Sequence, residues 1–229
     1  MGWSGWMGWI AWTGRDRSHG IVDRAGSMDG LEWIDLEELL NLNFYIFMEM
    51  TFVFLADGFE EVEAMMSIDV MRRAGMPVTT VSINPTREVT GAHGVTVLAD
   101  SLFADNDYSG AEWLVLPGGI PGAPNLAAHE GLRDLLLSQD EREGHIGAIC
   151  ASPAVVLGPL GLLMDRKAVC YPGLEDTVEG VNWQQGPVAI DGHIVTGNGP
   201  AAAAAFALAM VAESAGADKA SEVAAGMLF

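Results

Sequence analysis

Short apolar runs rich in strand-forming residues alternate with helical stretches from Thr51 onward, and this alternation constrains the fold most strongly. The first run, TFVFLA, is followed by the loop DGFEE and by a helical stretch that reaches Arg73, with Gly75 as its stop signal. Further strands are predicted at Val78–Ile83, Val95–Ala99, Trp113–Pro117, His145–Ile149 and Ala168–Tyr171, and a helix at about Glu130–Arg142. Such alternation favours a mostly parallel sheet with helices on both faces.

A hairpin and a long helix follow these elements. The run VAIDGHIVTG places Asp191 and Gly192 between two apolar pairs, which predicts a hairpin with a two-residue turn. The next stretch, PAAAAAFALAMVAESAG, predicts a helix that begins at Pro200 and stops at Gly216. Residues 50–229 therefore read as one α/β domain without an internal repeat.

The first 49 residues do not continue this pattern. They contain four tryptophans at intervals of three, followed by a polar connector that contains glycine. The apolar part is shorter than the ~20 residues of a membrane span, and it lacks a preceding basic residue and a clear small-residue cleavage site. We therefore expect neither a span nor a secretory signal. We expect residues 1–49 to be an extension outside the functional fold, and residues 1–47 to be dispensable. Whether residues 1–47 belong to the natural product is left open.

The charge balance excludes two classes of partner. The chain has 11 basic and 31 acidic residues, a formal net charge of -20. Its field should repel phosphate backbones and anionic lipid heads, so we expect no specific nucleic-acid binding and no membrane binding. High acidity is also an ordinary route to solubility, and it identifies no partner by itself.

The cysteine and histidine content favours free thiols and no metal. A domain of this size does not need a disulfide, so we expect Cys150 and Cys170 to be unpaired in a reducing, cytoplasmic compartment. The five histidines are scattered along the chain without a cysteine or carboxylate at ligand spacing; they are His19, His93, His129, His145 and His193.

Cys150 occupies an unusual local setting, the segment HIGAICASPAVV. It directly follows an apolar strand, and Pro153 stands where the first turn of a helix tolerates proline. The neighbours are small, as a tight strand-to-helix turn requires: Gly147, Ala148, Ala151 and Ser152. A helix N-terminus would favour the thiolate. The alternative, equally open from Cys150 alone, is a small buried hydrophobic residue in an inert fold.

A glycine pair ends another predicted strand, in LPGGIPGAPNL. Open α/β sheets bind ligands at the carboxyl ends of their strands, where Gly118 and Gly119 would let backbone N–H groups approach a ligand or an oxyanion. The segment is not a phosphate loop, because it has neither the Walker spacing nor a lysine. An ordinary turn remains the alternative.

Three glutamates follow the first strand. We interpret Glu60 and Glu61 as a solvated helix start, whereas Glu63 lies at a different angle, beside apolar Val62 and Met66, and is expected to point inward. Burial keeps a carboxyl protonated to higher pH, so Glu63 could donate a hydrogen bond to a thiolate or move a proton. We expect the pair to exist as thiolate and protonated acid at neutral pH.

Together, LADGFEEVEAMMSIDVMRRAGM, LVLPGGIPGAPNL, AICASPAVV, CYPG and GNGPA resemble the ThiJ/PfpI superfamily over about residues 50 to 229, with the parkinsonism-associated protein deglycase and its bacterial relatives as the nearest clade. The resemblance implies a flavodoxin-like, class I glutamine amidotransferase-like, three-layer sandwich with a mostly parallel sheet and a small hairpin. It also implies a homodimer, an active Cys150, a partner glutamate at Glu63 and oxyanion amides at Gly119 and Ala151. Gly118 and Tyr171 are candidates for the substrate pocket.

The chain departs from some members of that superfamily. Where some carry a histidine before a proline, this chain has Tyr171, so a Cys-His pair is not expected. Ala151 replaces the histidine of the protease-like branch, which argues against a peptidase. No His-x-Glu triplet follows Cys150, which argues against a glutamine amidotransferase.

The resemblance implies an enzyme that detoxifies small reactive dicarbonyls such as methylglyoxal, as a glutathione-independent glyoxalase or a deglycase, and we expect it to need no cofactor. Its substrate would be a small aldehyde or a glycated molecule. The alternative is a non-enzymatic oxidative-stress sensor or chaperone in which the same cysteine becomes a sulfinate. A stress-protective dimer without a true substrate is a third possibility.

Overall fold

The computed structural model of the protein describes residues 50–229. The predicted extension at residues 1–49, and the expectation that residues 1–47 are dispensable, lie outside the described residues. No helix within 50–229 combines the length and the apolar composition that crossing a membrane requires.

The described residues form eleven strands and five α-helices. The strands are β1 (Met50–Leu55), β2 (Val78–Ser82), β3 (Glu88–Thr90), β4 (Thr96–Leu98), β5 (Ser101–Leu102), β6 (Ala111–Leu116), β7 (His145–Ile149), β8 (Lys167–Ala168), β9 (Asn182–Trp183), β10 (Val188–Asp191) and β11 (Ile194–Gly197). The helices are α1 (Glu61–Arg73), α2 (Gly122–Ala128), α3 (Glu130–Glu141), α4 (Ala203–Ala215) and α5 (Ala217–Gly226).

A seven-stranded sheet runs through the domain in the order β10-β11-β7-β6-β1-β2-β5. All neighbouring strands are parallel except β10, which pairs with β11 as an antiparallel hairpin. The predicted mostly parallel sheet with a small hairpin is therefore confirmed. The turn comprises Gly192 and His193, one residue later than predicted, because Asp191 still pairs with Ile194.

Apolar side chains leave the sheet on both faces, as the strands' nearly continuous apolar runs require. On one face, residues such as Val53 and Trp113 pack with Met71 of α1 and Phe206 of α4. On the other face, Phe54 and its neighbours pack with residues of α2 and α3, among them Leu126, Leu132 and Leu136. The result is the predicted three-layer sandwich, in which the sheet fixes the positions of the loops at its carboxyl edge.

Two predicted strands differ from the structure. The predicted run Val95–Ala99 is not part of the main sheet, because the GAHG segment turns the chain and β4 pairs with β3 as a separate hairpin. The predicted strand Ala168–Tyr171 is reduced to β8. The Val169 amide donates to the side chain of Thr196 (2.9 Å) instead of to a neighbouring strand, and the chain bends at Gly173.

Candidate active site

Three neighbouring strands of the sheet bring the predicted site residues together. Cys150 directly follows β7, Gly118 and Gly119 follow β6, and Glu63 lies in the first turn of the helix after β1. Since β7, β6 and β1 are adjacent and parallel, their carboxyl ends meet at one edge of the sheet. The juxtaposition expected from the sequence is therefore present, while the chemical roles of these residues remain proposals.

Cys150 sits in a sharp backbone turn. Its φ is +65°, in the left-handed region that costs a non-glycine residue roughly 1–2 kcal/mol. The turn is held from two sides: the Cys150 amide donates to Gly197 O (2.9 Å), and the Tyr171 amide donates to Cys150 O (2.7 Å). The buried Ser152 hydroxyl also donates to Pro117 O (2.6 Å), which ties the turn to the end of β6. These contacts fix the direction of the thiol.

The segment after Cys150 is not the regular helix that the sequence suggests. Pro153 does begin a helical segment, but it is a π-helix of five residues, Pro153–Leu157. Such a short turn carries little of the aligned dipole of an α-helix. The segment therefore stabilises the Cys150 thiolate less than the predicted helix N-terminus would.

Glu63 is completely buried, as its angle on the helix predicts. Its Oε2 accepts a hydrogen bond from the Gly118 amide (2.8 Å), while its Oε1 is buried without a hydrogen-bond partner. Val62, by contrast, is half exposed and contributes little to that burial. A carboxyl with one oxygen unpartnered in a buried site can hold a proton and donate it to a neighbouring group.

The glycine pair leaves room for this arrangement. A Cβ added at Gly118 would lie 2.5 Å from Cys150 Cβ and 2.8 Å from Glu63 Oε2, so a side chain there would separate the thiol from the carboxyl. Gly119 has a φ of +96°, and a Cβ at this position would collide with the backbone of Gly58 and Phe59. Only glycine suits both positions without displacing the groups around them.

The thiol and the carboxyl strongly affect each other's protonation. Burial raises the pKa of Glu63 to about 7, although hydrogen bonds from Cys150 and from the Gly118 amide act to lower it. Burial, followed by the charge of Glu63 and a hydrogen bond to it, raises the pKa of Cys150 as well, against the lowering effect of the Gly119 and Ala151 amides. The predicted rise at Glu63 is therefore present, but the predicted lowering at Cys150 is wrong.

The Cys150 pKa is raised because burial of the sulfur, followed by repulsion from an ionised Glu63, outweighs the lowering effect of the Gly119 and Ala151 amides. The repulsion disappears once Glu63 is protonated, because its O–H can then donate to the sulfur. Above about pH 7 the pair holds one proton, either as thiol and carboxylate or as thiolate and acid. These two forms differ only in the position of the proton, so one short transfer generates the nucleophile.

Two exposed apolar residues belong to the segments that meet at this pair. Ile120 follows Gly119 and is 64% exposed, and Tyr171 is 49% exposed beside the Cys150 carbonyl. Sequence reasoning proposed Tyr171 but missed Ile120, whose signal was its place directly after the glycine pair. Cys170 is buried one residue before Tyr171, and both cysteines are free thiols.

Glu60 and Glu61 are not the solvated helix start that the sequence suggests. Glu60 is 8% exposed, and its Oε2 accepts from the Glu63 amide (2.7 Å), so it caps α1 at the turn that carries Glu63. Glu61 accepts from the His93 amide and lies 2.7 Å from His93 Nδ1. The β3–β4 turn is thereby fastened to the start of α1.

This contact corrects the reading of His93 as a histidine without a carboxylate beside it. The side chains of Glu60, Glu61 and His93 offer ligand atoms within 4.8 Å of one another. The fold, and not the sequence spacing, creates the cluster, since the three residues lie on two separate elements. Both oxygens of Glu61 already accept hydrogen bonds or contact the His93 ring, so the cluster is explained as a fastening between the elements.

Comparisons with known proteins show the family to which the chain belongs. The sequence matches the DJ-1/PfpI family over residues 50–213. The Parkinson disease protein 7 homolog of Danio rerio is 34% identical over 181 residues, covering 77% of this chain and 95% of that protein. The solved structure of oxidized Toxoplasma gondii DJ-1 has a TM-score of 0.77 and 36% sequence identity, covering 79% of this chain and 98% of the other.

Two further relatives differ in how much of their own length this chain covers. Protein DJ-1 homolog B of Arabidopsis thaliana is 37% identical over 165 residues, which is 72% of this chain but 38% of that protein. The chain thus spans less than half the length of this relative. The glutathione-independent glyoxalase DJR-1.2 of Caenorhabditis elegans is 32% identical over 162 residues, covering 70% of this chain and 85% of that protein.

Proposed function

The chain belongs to the DJ-1/PfpI family, and from that premise we propose that it converts small reactive dicarbonyls such as methylglyoxal into hydroxy acids through Cys150, without glutathione. The observation that carries this proposal is the buried Glu63 carboxyl, with a pKa near 7, against the Cys150 side chain. General acid–base groups work best when their pKa is close to the working pH. A similar protein from Caenorhabditis elegans is a glutathione-independent glyoxalase, which supports the proposed reaction class.

The first step forms a bond between sulfur and the aldehyde carbon. The Cys150 proton passes to the Glu63 carboxylate as the sulfur attacks, and the carbonyl oxygen becomes a hydroxyl in the resulting hemithioacetal. The Gly119 and Ala151 amides, which already act on the sulfur in the resting site, would stabilise negative charge on that oxygen.

The second step moves a proton between adjacent carbons. After releasing its first proton, Glu63 takes the C–H proton of the former aldehyde carbon and returns it to the neighbouring ketone carbon. The hydroxyl proton of the hemithioacetal passes to the former ketone oxygen, so the product is a 2-hydroxyacyl thioester. Water then hydrolyses the thioester and restores the thiol. Methylglyoxal and water give lactate, so the internal oxidation and reduction balance and no cofactor is needed.

The decisive experiment measures lactate formation from methylglyoxal with no glutathione present. We expect turnover by the unaltered chain and none by a Cys150→Ala variant, with Cys170→Ala as the matched control that keeps activity. Folding of each variant is checked by circular dichroism. Absence of lactate with the unaltered chain, or unchanged turnover in Cys150→Ala, would refute the proposal.

A second function is supported by the same pair. A protonated Glu63 beside the sulfur can donate a hydrogen bond to a sulfinate oxygen, so peroxide would oxidise the Cys150 thiol to a sulfinate that marks exposure to oxidant. The related Toxoplasma gondii protein has been solved in an oxidized form. Peroxide treatment followed by peptide mass spectrometry should then locate two added oxygens on Cys150 and none on Cys170.

We further propose that the protein acts as a homodimer in the cytoplasm. Two free, buried cysteines suit a reducing compartment, and several apolar side chains on α1 and β4 are exposed in the single chain. Fluorescent tagging of the chain in cells would test the compartment.

A further inference from the structure

The loops that surround Cys150 carry only one sign of charge. Five loops contribute to its surroundings, at residues 56–60, 117–121, 150–152, 169–181 and 198–202. Their charged residues are all acidic: Asp57, Glu60, Glu175, Asp176 and Glu179. None of the five loops contains lysine, arginine or histidine.

Contacts place these loops around the pair. The Glu60 amide donates to Gly118 O (3.0 Å), and the charge of Glu60 acts on Glu63. The 169–181 loop reaches Cys150 through the Tyr171 amide, and the 198–202 loop follows Gly197, which accepts from the Cys150 amide. His93, on the turn fastened to α1, is paired with Glu61 and so does not supply an unpaired positive charge.

Two residues of these loops expose apolar side chains: Ile120, which directly follows Gly119, and Tyr171, whose amide donates to the Cys150 carbonyl. Ile120 is 64% exposed and Tyr171 is 49% exposed, so a substituent on a bound molecule could cover either side chain. The loops connected to the Cys150 turn therefore combine acidic residues with exposed apolar side chains.

We propose that this site selects uncharged α-oxoaldehydes with an apolar substituent and discriminates against phosphorylated or carboxylated ones. The proposal deepens the dicarbonyl function and rests on it for the identity of the substrate class. The physical basis is that the carboxylates of these loops raise the free energy of an incoming anion, while the exposed Ile120 and Tyr171 side chains can stabilise an apolar group.

Alkylation of Cys150 tests this selectivity without any turnover. Iodoacetamide is neutral and iodoacetate is anionic, and both alkylate the same thiolate. Because both rates depend equally on the fraction of thiolate, the ratio of the two rates does not depend on the thiol pKa. Relative to a cysteine in a neutral peptide, we expect Cys150 to prefer iodoacetamide by about a further tenfold at low salt. The preference should shrink at about 0.5 M salt, where the Debye length is a few ångströms.

Charge variants connect the effect to the loops. Replacing Glu175→Gln together with Asp176→Asn keeps the side-chain shapes and should reduce the extra preference to about threefold. The double variant Asp218→Asn and Glu222→Gln on α5 also removes two negative charges, but away from these loops, and should leave the extra preference for iodoacetamide unchanged. A Cys150 ratio equal to that of the peptide, or an equal response to both double variants, would overturn the proposal.

Turnover provides the matching substrate comparison. Phenylglyoxal and 4-carboxyphenylglyoxal differ only in one carboxylate, and the ratio of their kcat/KM values should follow the alkylation ratio and its salt dependence. Similar kcat/KM values for the two substrates would also overturn the selectivity. If neither substrate is turned over but the alkylation ratio is large and responds to Glu175 and Asp176, the proposed enzyme function fails while the charge selectivity stands.

Discussion

A buried carboxyl beside a buried thiol gives this site its chemistry at the scale of single residues. The inward angle of Glu63 follows from its place on α1, three residues after its cap, and could be predicted from the sequence. The protonation of Cys150 could not, because it depends on the burial of the sulfur and on the short π-helix that replaces a regular helix. Residue type and spacing indicate which groups meet, but packing decides which of them holds the proton.

The pH dependence of turnover should report the Glu63 pKa. Below about 7 the pair holds two protons and lacks a base, so kcat/KM for methylglyoxal should rise as the pH increases through about 7 and then level off. In Glu63→Gln this rise should disappear, and the rate should fall by about 10²–10⁴-fold. Initial rates of lactate formation between pH 5 and 9 provide the measurement, and a Glu222→Gln variant is the control. An unchanged profile in Glu63→Gln would show that another group titrates.

The same carboxyl should make folding stability depend on pH. Its pKa is raised from 4.5 to about 7 in the folded state, so the folded protein binds more protons than the unfolded chain between these values. Stability from this group is therefore fully present below 4.5 and is lost as the pH rises through about 7, by on the order of 3 kcal/mol. Glu63→Gln should unfold at higher urea concentration than the unaltered chain at pH 8 and at a similar one at pH 4.5. Equal midpoint differences at both pH values would contradict the raised pKa.

At the scale of secondary structure, the order of strands and helices was predictable from local patterns. Each main strand has its own apolar run, and helices such as α1 and α4 are followed by a glycine that ends them. The β3–β4 hairpin was not predicted as such, since its strands have three residues each and pair with each other instead of with the main sheet. Its attachment through Glu61 and His93 joins residues 32 positions apart, which no local pattern reveals. Long-range side-chain contacts therefore set the surroundings of the site, while local patterns set its framework.

The loop after β6 makes a testable demand on side-chain size. In Gly118→Ala, the added methyl group would lie 2.5 Å from Cys150 Cβ and 3.0 Å from its sulfur, so the β6 loop or the Cys150 turn must shift. We expect a loss of stability of about 1–3 kcal/mol and a loss of most lactate formation. Gly110→Ala, before the same strand, is the matched control because a Cβ there meets nothing within 4 Å. Urea unfolding and lactate assays measure both effects, and a fully active Gly118→Ala would contradict the close packing.

At the scale of the whole molecule, the domain formed by residues 50–229 contains its own sheet, two apolar layers and the complete candidate site. We therefore expect a chain shortened to begin at Met48 to fold, to form lactate at the same rate and to elute at the same oligomeric size as the full chain. Circular dichroism, the lactate assay and light scattering are the measurements. A shortened chain that aggregates or changes its oligomeric size would show that residues 1–47 belong to the functional structure.

The exposed surface of α1 and the neighbouring hairpin is where we expect the two copies of the proposed dimer to meet. Val62 on α1 is 51% exposed and Leu98 on β4 is 65% exposed. Met65 on α1 and Val95 in the β3–β4 turn are exposed as well. Glu61 fastens these elements together, because it accepts from the amides of the β3–β4 turn. Exposed apolar side chains on adjoining elements are typical of an interface between subunits.

This surface predicts how the oligomer should respond to a single charge. A glutamate at Val62 or Leu98 would be buried without a partner in a dimer, which costs about 3–5 kcal/mol and should weaken association by about 10²–10³-fold. Sedimentation of the unaltered chain should give a dimer, and Val62→Glu and Leu98→Glu should shift it toward the monomer. Leu137→Glu on α3, which changes an exposed leucine on a different helix, should remain dimeric and shows whether added charge alone separates the copies.

Val62 and Leu98 do not belong to the Cys150 pair, so loss of lactate formation in the monomeric variants would indicate that the dimer supports the site. Dimers of unchanged affinity in both variants would exclude this surface as the interface, whatever the activity.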